Sequence, residues 1–166
     1  MPDGGNEVSS FFDDLVPNSE VEKSPLTIPI SDVIDWKSLL DHLRLTTNDP
    51  AHRYYVVTFR SIRSKGADDQ KLYAADAQAQ AEAKQSGGLL MYWYGALNER
   101  RECFAMCVWD SMEQARKANG LPAHLVARQL AREMYDTYRL ERCWLRADAN
   151  FNPLLESLPS SSSYHS

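Results

Sequence analysis

The 166-residue chain is short of most features that would assign a function by composition. Its three cysteines are an odd number, which argues against the paired framework of a secreted disulfide scaffold. No apolar run approaches the ~20 residues that cross a bilayer. The opening stretch MPDGGNEVSSFFDDL has neither a basic flank nor an apolar segment, so it does not read as a signal peptide. The expected compartment is therefore cytoplasmic. Positive charge is not in excess either: 18 Lys and Arg stand against 23 Asp and Glu, a net of −5. Residues 1–30 carry six acids (Asp3, Glu7, Asp13, Asp14, Glu20, Glu22) and one base, Lys23, which accounts for the whole imbalance. The remaining body is neutral and lacks the basic field that nucleic-acid binding requires. No nucleic acid and no membrane is expected as a partner. A Walker-type glycine loop, a Rossmann fingerprint, zinc-ligand spacing and a nucleophile elbow are all missing. Nucleotide-dependent enzymes, zinc proteins and α/β-hydrolases are thus poorly supported, and no metal or cofactor is called for.

Proline is missing between Ala51 and Leu121, which marks the regular core. Residues 1–30 hold four of the eight prolines and read as a disordered acidic N-terminal arm. Residues 31–158 read as one domain, and 159–166 as a disordered tail, with FNPLLESLP docking ahead of it as a strap. SDVIDWKSLLDHLRL sets Val33, Trp36, Leu39, Leu40 and Leu43 at helical spacing, with Ser31 or Asp35 as cap. RYYVVTFRSI (53–62) is β-branched and aromatic and predicts a strand. DDQKLYAADAQAQAEAKQSGG predicts a helix ended by Gly87 or Gly88. LLMYWYGAL (89–97) and ECFAMCVWD (102–110) predict strands around the hairpin NERR. SMEQARKANG is a short helix, PAHLVARQLAREMY a longer one opened by proline, and TYRLERCWLRA (137–147) a last strand. The order is βαββαβ, an α+β ferredoxin-like sandwich with an extra N-terminal helix.

That order raises a question of coverage. In ECFAMCVWD, Cys103, Ala105, Cys107 and Trp109 share one face, while Phe104, Met106 and Val108 share the other. Both sets are apolar, so both faces are buried. Helices take one face. The other calls for a second sheet or a ligand cavity, and two such sheets packed together make a homodimer.

The segments CVWDSMEQARKANGLPAH and MYDTYRLERCWL resemble a family of fungal proteins that is similar in turn to the dimeric α/β-barrel superfamily. The resemblance covers roughly residues 53–147. It implies a ferredoxin-like protomer that pairs through its sheet into a barrel with a central pocket. In that superfamily the pocket hosts cofactor-free oxygenation, cyclisation, isomerisation or haem chemistry.

Candidate site residues carry ordinary structural readings beside functional ones. Cys103 and Cys107 lie ~13 Å apart along one strand face, too far to bridge, and read as small buried wall residues. Asp110 with Glu113, or Ser111 with Gln114, has the spacing of a helix-capping box. His124 follows Pro122 in a first helical turn, where the helix dipole keeps an imidazole neutral. It is the candidate acid/base residue or haem ligand, against a capping histidine beside the stripe Val126, Leu130, Met134. Tyr92, Tyr94, Trp109 and Trp144 read equally as core and as the ring walls of an apolar pocket. Arg60 and Arg142, charges inside apolar strands, read as edge-strand solubilisers or as anchors for an acidic ligand. Two functions follow. One is a cofactor-independent enzyme (oxygenase, cyclase or isomerase) acting on a hydrophobic oxygenated metabolite, with His124 catalytic and Tyr92, Tyr94, Trp109 and Arg142 binding substrate. The other is a non-catalytic dimeric binding or regulatory protein.

Overall fold

The computed structural model describes residues 15–159 and 163–165. Strand β1 (Tyr54–Arg63) lies at the centre, its residues buried on both faces almost throughout. It pairs antiparallel with β3 (Glu102–Trp109) on one side and β4 (Tyr135–Ala147) on the other. Val57 sits opposite both Cys107 and Arg142, which fixes the register across the three strands. β2 (Leu89–Tyr94) pairs with β3, so the four strands run β2-β3-β1-β4, the ferredoxin-like order. The expected strap, residues 151–159, instead contributes a fifth strand: β5 (Pro153–Ser157) pairs with β4. The expected tail contributes a sixth, β6 (Ser163–His165), also against β4. The edge backbone of β4 offers unpaired donors and acceptors, and these segments take them.

Among the described residues, five α-helices accompany the sheet. α1 (Glu20–Lys23) and α2 (Trp36–Arg44) precede it; α3 (Asp69–Ser86), α4 (Met112–Asn119) and α5 (Pro122–Met134) lie between strands. Asp35 caps α2 by accepting from the Ser38 N–H at 3.1 Å, so the helix opens at Trp36 and not at Ser31. Val33 is fully buried outside it, beside a single 3₁₀ turn at Ile30–Asp32. Asp68 caps α3 from the Lys71 N–H, and Gly87, at φ +93°, ends it where a side chain would be strained.

The capping question at 110–114 is settled by geometry. Ser111 Oγ accepts from the Gln114 N–H at 3.2 Å and meets the Gln114 side chain at 3.1 Å. Asp110 turns the other way, 3.0 Å from His52 Nε2, and ties the loop before β1 to the end of β3.

The two sheet faces have different covers. Helices α3, α4 and α5 lie over the face that carries Tyr55, Val57, Cys107 and Trp109. The opposite face carries Tyr54, Val56, Phe104, Met106, Val108 and Leu145, and it is the face for which a second sheet was expected. The chain covers it with its own N-terminal residues: Val21, Ile28, Val33, Trp36, Leu39 and Leu40 join those strand residues in one buried cluster. This corrects the expectation of a disordered arm. From residue 15 onward the arm is packed structure, with Val21 2 % and Ile28 5 % exposed; residues 1–14 lie outside the described residues. The face on which the homodimer was argued is covered, among the described residues, by this segment of the same chain.

Arg60 explains why so polar a segment stays seated. It stands on central β1, 4 % exposed, and so is neither an edge solubiliser nor placed toward a ligand. Its Nη1 and Nη2 donate to the carbonyls of Pro25 (3.0 Å) and Ile28 (2.6 Å), and its Nε donates to Glu141 at 2.7 Å. Burial works against the Arg60 charge, and the Glu141 carboxylate opposes that effect. Arg139 donates to the Leu26 carbonyl and Arg100 to that of Lys23, so three arginines hold residues 23–28 by their backbone.

Candidate functional site

Between the sheet and its helices lies a cavity of about 560 Å³. Its floor is the alternate residues of β1 and β3 that face the helices, Tyr55, Val57, Cys103 and Cys107 among them. Its roof exists because α3 and α5 present small side chains inward, Ala75, Ala79, Ala83 and Ala127, Ala131. Alanine stripes let a helix run straight but leave the space that a leucine would have filled. That volume is in the range of ordinary ligand pockets.

All five residues singled out from the sequence line this cavity: His124, Tyr92, Tyr94, Trp109 and Arg142. Trp109 is 6 % exposed and its indole N–H donates to Cys107 Sγ at 3.1 Å. Tyr94 is 47 % exposed at the rim, stacked on Tyr73 with ring centroids 5.8 Å apart. His124 enters from the first turn of α5. Burial, then the charge of Arg128, lowers its pKa below the ordinary 6.5, so the ring is neutral at neutral pH. The stripe assigned beside it was wrong in one position: Val126 is 53 % exposed, while Leu130 is buried. Arg142 comes from β4, opposite Val57. Trp144 instead packs beside Tyr55 with ring centroids 5.4 Å apart, under the guanidinium of Arg53.

The structure adds residues that the sequence reading passed over. Asp76 sits on the inner side of α3 and accepts a hydrogen bond from the Tyr92 hydroxyl at 2.6 Å. Burial raises the Asp76 pKa, an effect the Tyr92 bond opposes. Burial and the adjacent Asp76 charge both push the Tyr92 phenol up. The signal was present: Asp76 falls four residues after Leu72 and one after Ala75, an acid on the buried stripe of a helix. Tyr138 and Tyr135, ring centroids 5.5 Å apart, form the wall toward β4, with Tyr138 also 5.8 Å from Phe59. Burial, then its neighbour Tyr135, raises the Tyr138 phenol well above its usual range. At one end Arg63, 4 % exposed, donates to Asp69 (3.1 Å) and to the Tyr73 hydroxyl (3.3 Å).

The thiols are quiet. Cys103, Cys107 and Cys143 are free and buried, and burial drives Cys107 and Cys143 up to about 12. A thiol in that state is neither nucleophile nor metal ligand. Among the described residues no group of three His, Cys, Asp or Glu is placed to hold a metal ion. Among them, too, no helix is long and apolar enough to cross a membrane.

Fold and cavity together define an α+β ferredoxin-like domain with a ring-lined chamber under its helices. A family model described as PB2B2.08-like matches residues 11–154, and the chain belongs to that family. A curated relative, UPF0643 protein PB2B2.08 of Schizosaccharomyces pombe, is 33% identical over 98 residues, 55% of this chain and 44% of the relative. The match thus spans less than half the length of that relative. Among solved structures, the chain is similar to SnoaB, a cofactor-independent oxygenase from Streptomyces nogalater (14% identity, TM-score 0.44, 59% of this chain and 95% of that one). It is also similar to protein SO0527 from Shewanella oneidensis (15%, TM-score 0.49, 56% and 91%). A third is a dimeric protein of ferredoxin-like fold from Bacteroides fragilis (8%, TM-score 0.41, 54% and 93%).

Proposed function

We propose that this protein binds a hydrophobic, oxygen-bearing small molecule between its sheet and helices and moves a proton on it with its own side chains. The observation that carries this reading is the Asp76–Tyr92 hydrogen bond, 2.6 Å long, in the wall of an apolar cavity of about 560 Å³. A carboxylate set on the buried side of a helix costs stability even when hydrogen-bonded, and such a group in a cavity wall marks a candidate site. Beside a cavity it is a proton acceptor whose basicity is raised by its surroundings. Tyr92, its one proton donated to Asp76, accepts from a ligand hydroxyl, the neutral His124 supplies a second proton acceptor, and Tyr94, Trp109 and Arg142 hold the ligand's rings and oxygens. Cofactor-independent oxygenation, cyclisation and isomerisation all begin with removal of a proton from an acidic hydroxyl or from a carbon beside a carbonyl. This set of groups fits that step.

The alternative, a non-catalytic binding protein, uses the same chamber and differs only in lacking turnover. One experiment separates them. Compounds extracted from protein purified from its native host are returned to fresh protein and followed by mass spectrometry. Conversion by the wild type, lost in Asp76→Asn and reduced in His124→Ala with melting temperature kept, is the expected result. Binding without conversion would leave the non-catalytic reading, and conversion unchanged in both variants would remove the proton-transfer role.

A further inference from the structure

The end of the cavity away from Trp109 holds an unusual charge arrangement. Arg63 is 4 % exposed and lines the cavity, yet its Nε–H has no hydrogen-bond partner among the described residues. A buried guanidinium normally has its donors satisfied, and one left unmade works against folding. The local charge is also unbalanced. Arg63 and Arg101 share a single oxygen of Asp69, at 3.1 and 3.5 Å. Asp69 is itself 45 % exposed, so it screens the pair only from the solvent side. Along the wall, Arg63, Arg128 and Arg142 stand against the one carboxylate of Asp76 among the lining residues. Among the described residues neither Arg128 nor Arg142 has an acidic partner within salt-bridge distance. In a chain of net charge −5 this chamber is locally cationic.

We propose that the ligand is a ring compound bearing a carboxylate or comparable oxyanion, and that Arg63 receives that group through its free Nε–H. The proposal rests on the pocket reading above and adds the charge of the ligand and the residue that reads it. An oxyanion at this place fills the missing hydrogen bond with a charge-assisted one and neutralises the guanidinium that Asp69 only half balances. The ring body then lies along Tyr135, Tyr138 and Phe59. Arg128 and Arg142 add an attractive field without forming the contact. A neutral ring compound gains the apolar burial alone.

Two dyes of one skeleton test this: 8-anilinonaphthalene-1-sulfonate, which is anionic, and N-phenyl-1-naphthylamine, which lacks the sulfonate. Both fluoresce in apolar sites. The anionic dye should bind the full chain at least tenfold more tightly, about 1.4 kcal/mol, with the gap narrowing as salt rises. Arg63→Gln should erase the gap while leaving the neutral dye's affinity within about twofold. Arg63 also supports β1, so a second readout uses the wild type: the Arg63 Nε–H resonance should shift and exchange more slowly with solvent on adding the anionic dye and not the neutral one. Ala131→Phe, which fills the roof, should weaken both dyes. Equal affinities, a gap that survives in folded Arg63→Gln, or an unmoved Nε–H resonance would overturn the anion assignment and leave the pocket standing. Failure of both dyes to bind would take down the pocket reading itself.

Discussion

Asp76 is the residue whose place in the fold says most about function, and it was the one least visible in the sequence. That Tyr92, Tyr94, Trp109, His124 and Arg142 line a cavity was legible, because aromatic and cationic residues stand out inside strands and at a helix start. Asp76 sits in an alanine- and glutamine-rich helix, where one more acid looks like solvated surface. Only its partner in the cavity wall, Tyr92, gives it meaning. Its raised pKa carries a sign that can be checked. The folded state holds the proton to higher pH than the unfolded chain, so stability contributed at low pH is lost as pH rises from ~3.9 through the folded value. Asp76→Asn should therefore gain stability relative to wild type between pH 3.5 and pH 7, measured by urea unfolding at each pH. A constant difference would show that the carboxyl is not desolvated. The cysteines give a second residue-scale expectation. With Cys107 and Cys143 at about 12 and the unfolded reference at 9.0, folding keeps these protons, and stability falls as pH climbs from 9 toward 12. Native protein at pH 8 should resist iodoacetamide at all three thiols and react fully once unfolded. Rapid native labelling of Cys107 would contradict its burial.

At the scale of elements, strands and helices followed from periodicity, and the segment over the far sheet face did not. Residues 15–34 are proline-rich, with small polar residues between scattered Leu, Val and Ile, and only a short helix and one 3₁₀ turn interrupt them. Propensity therefore pointed to an arm. What packs the segment is long-range: scattered Val21, Pro25 and Ile28 find an apolar sheet, and arginines from β1, β4 and the β2–β3 turn bind its carbonyls. None of that is periodic in sequence. Ile28→Ala should cost about 2–4 kcal/mol, as other truncations of buried isoleucine do. Arg60→Ala should cost a similar roughly 2–4 kcal/mol, because two buried carbonyls lose their donor while half-exposed Glu141 keeps Arg139. A change below about 0.5 kcal/mol in either variant by chemical denaturation would mean that the segment rests loosely on the sheet. A helix cap at 110–114 was legible as a spacing, the structure chose Ser111 over Asp110, and Ser111→Ala should cost about 0.5–2 kcal/mol.

For the whole molecule, the alternation of apolar residues in β3 correctly required two covers for the sheet and could not say what the second one was. The chain supplies it from its own N-terminal residues, so sheet-to-sheet pairing would require residues 15–45 to leave. The chamber likewise lies within one chain, between sheet and helices, and not at the centre of a two-chain barrel. Native mass spectrometry of the protein taken from its own host tests both statements in one spectrum. The expected species is a single 18.9 kDa chain carrying one small organic acid, absent from the Ala131→Phe variant. A dimer without bound compound, or an adduct that persists in the filled variant, would contradict the account.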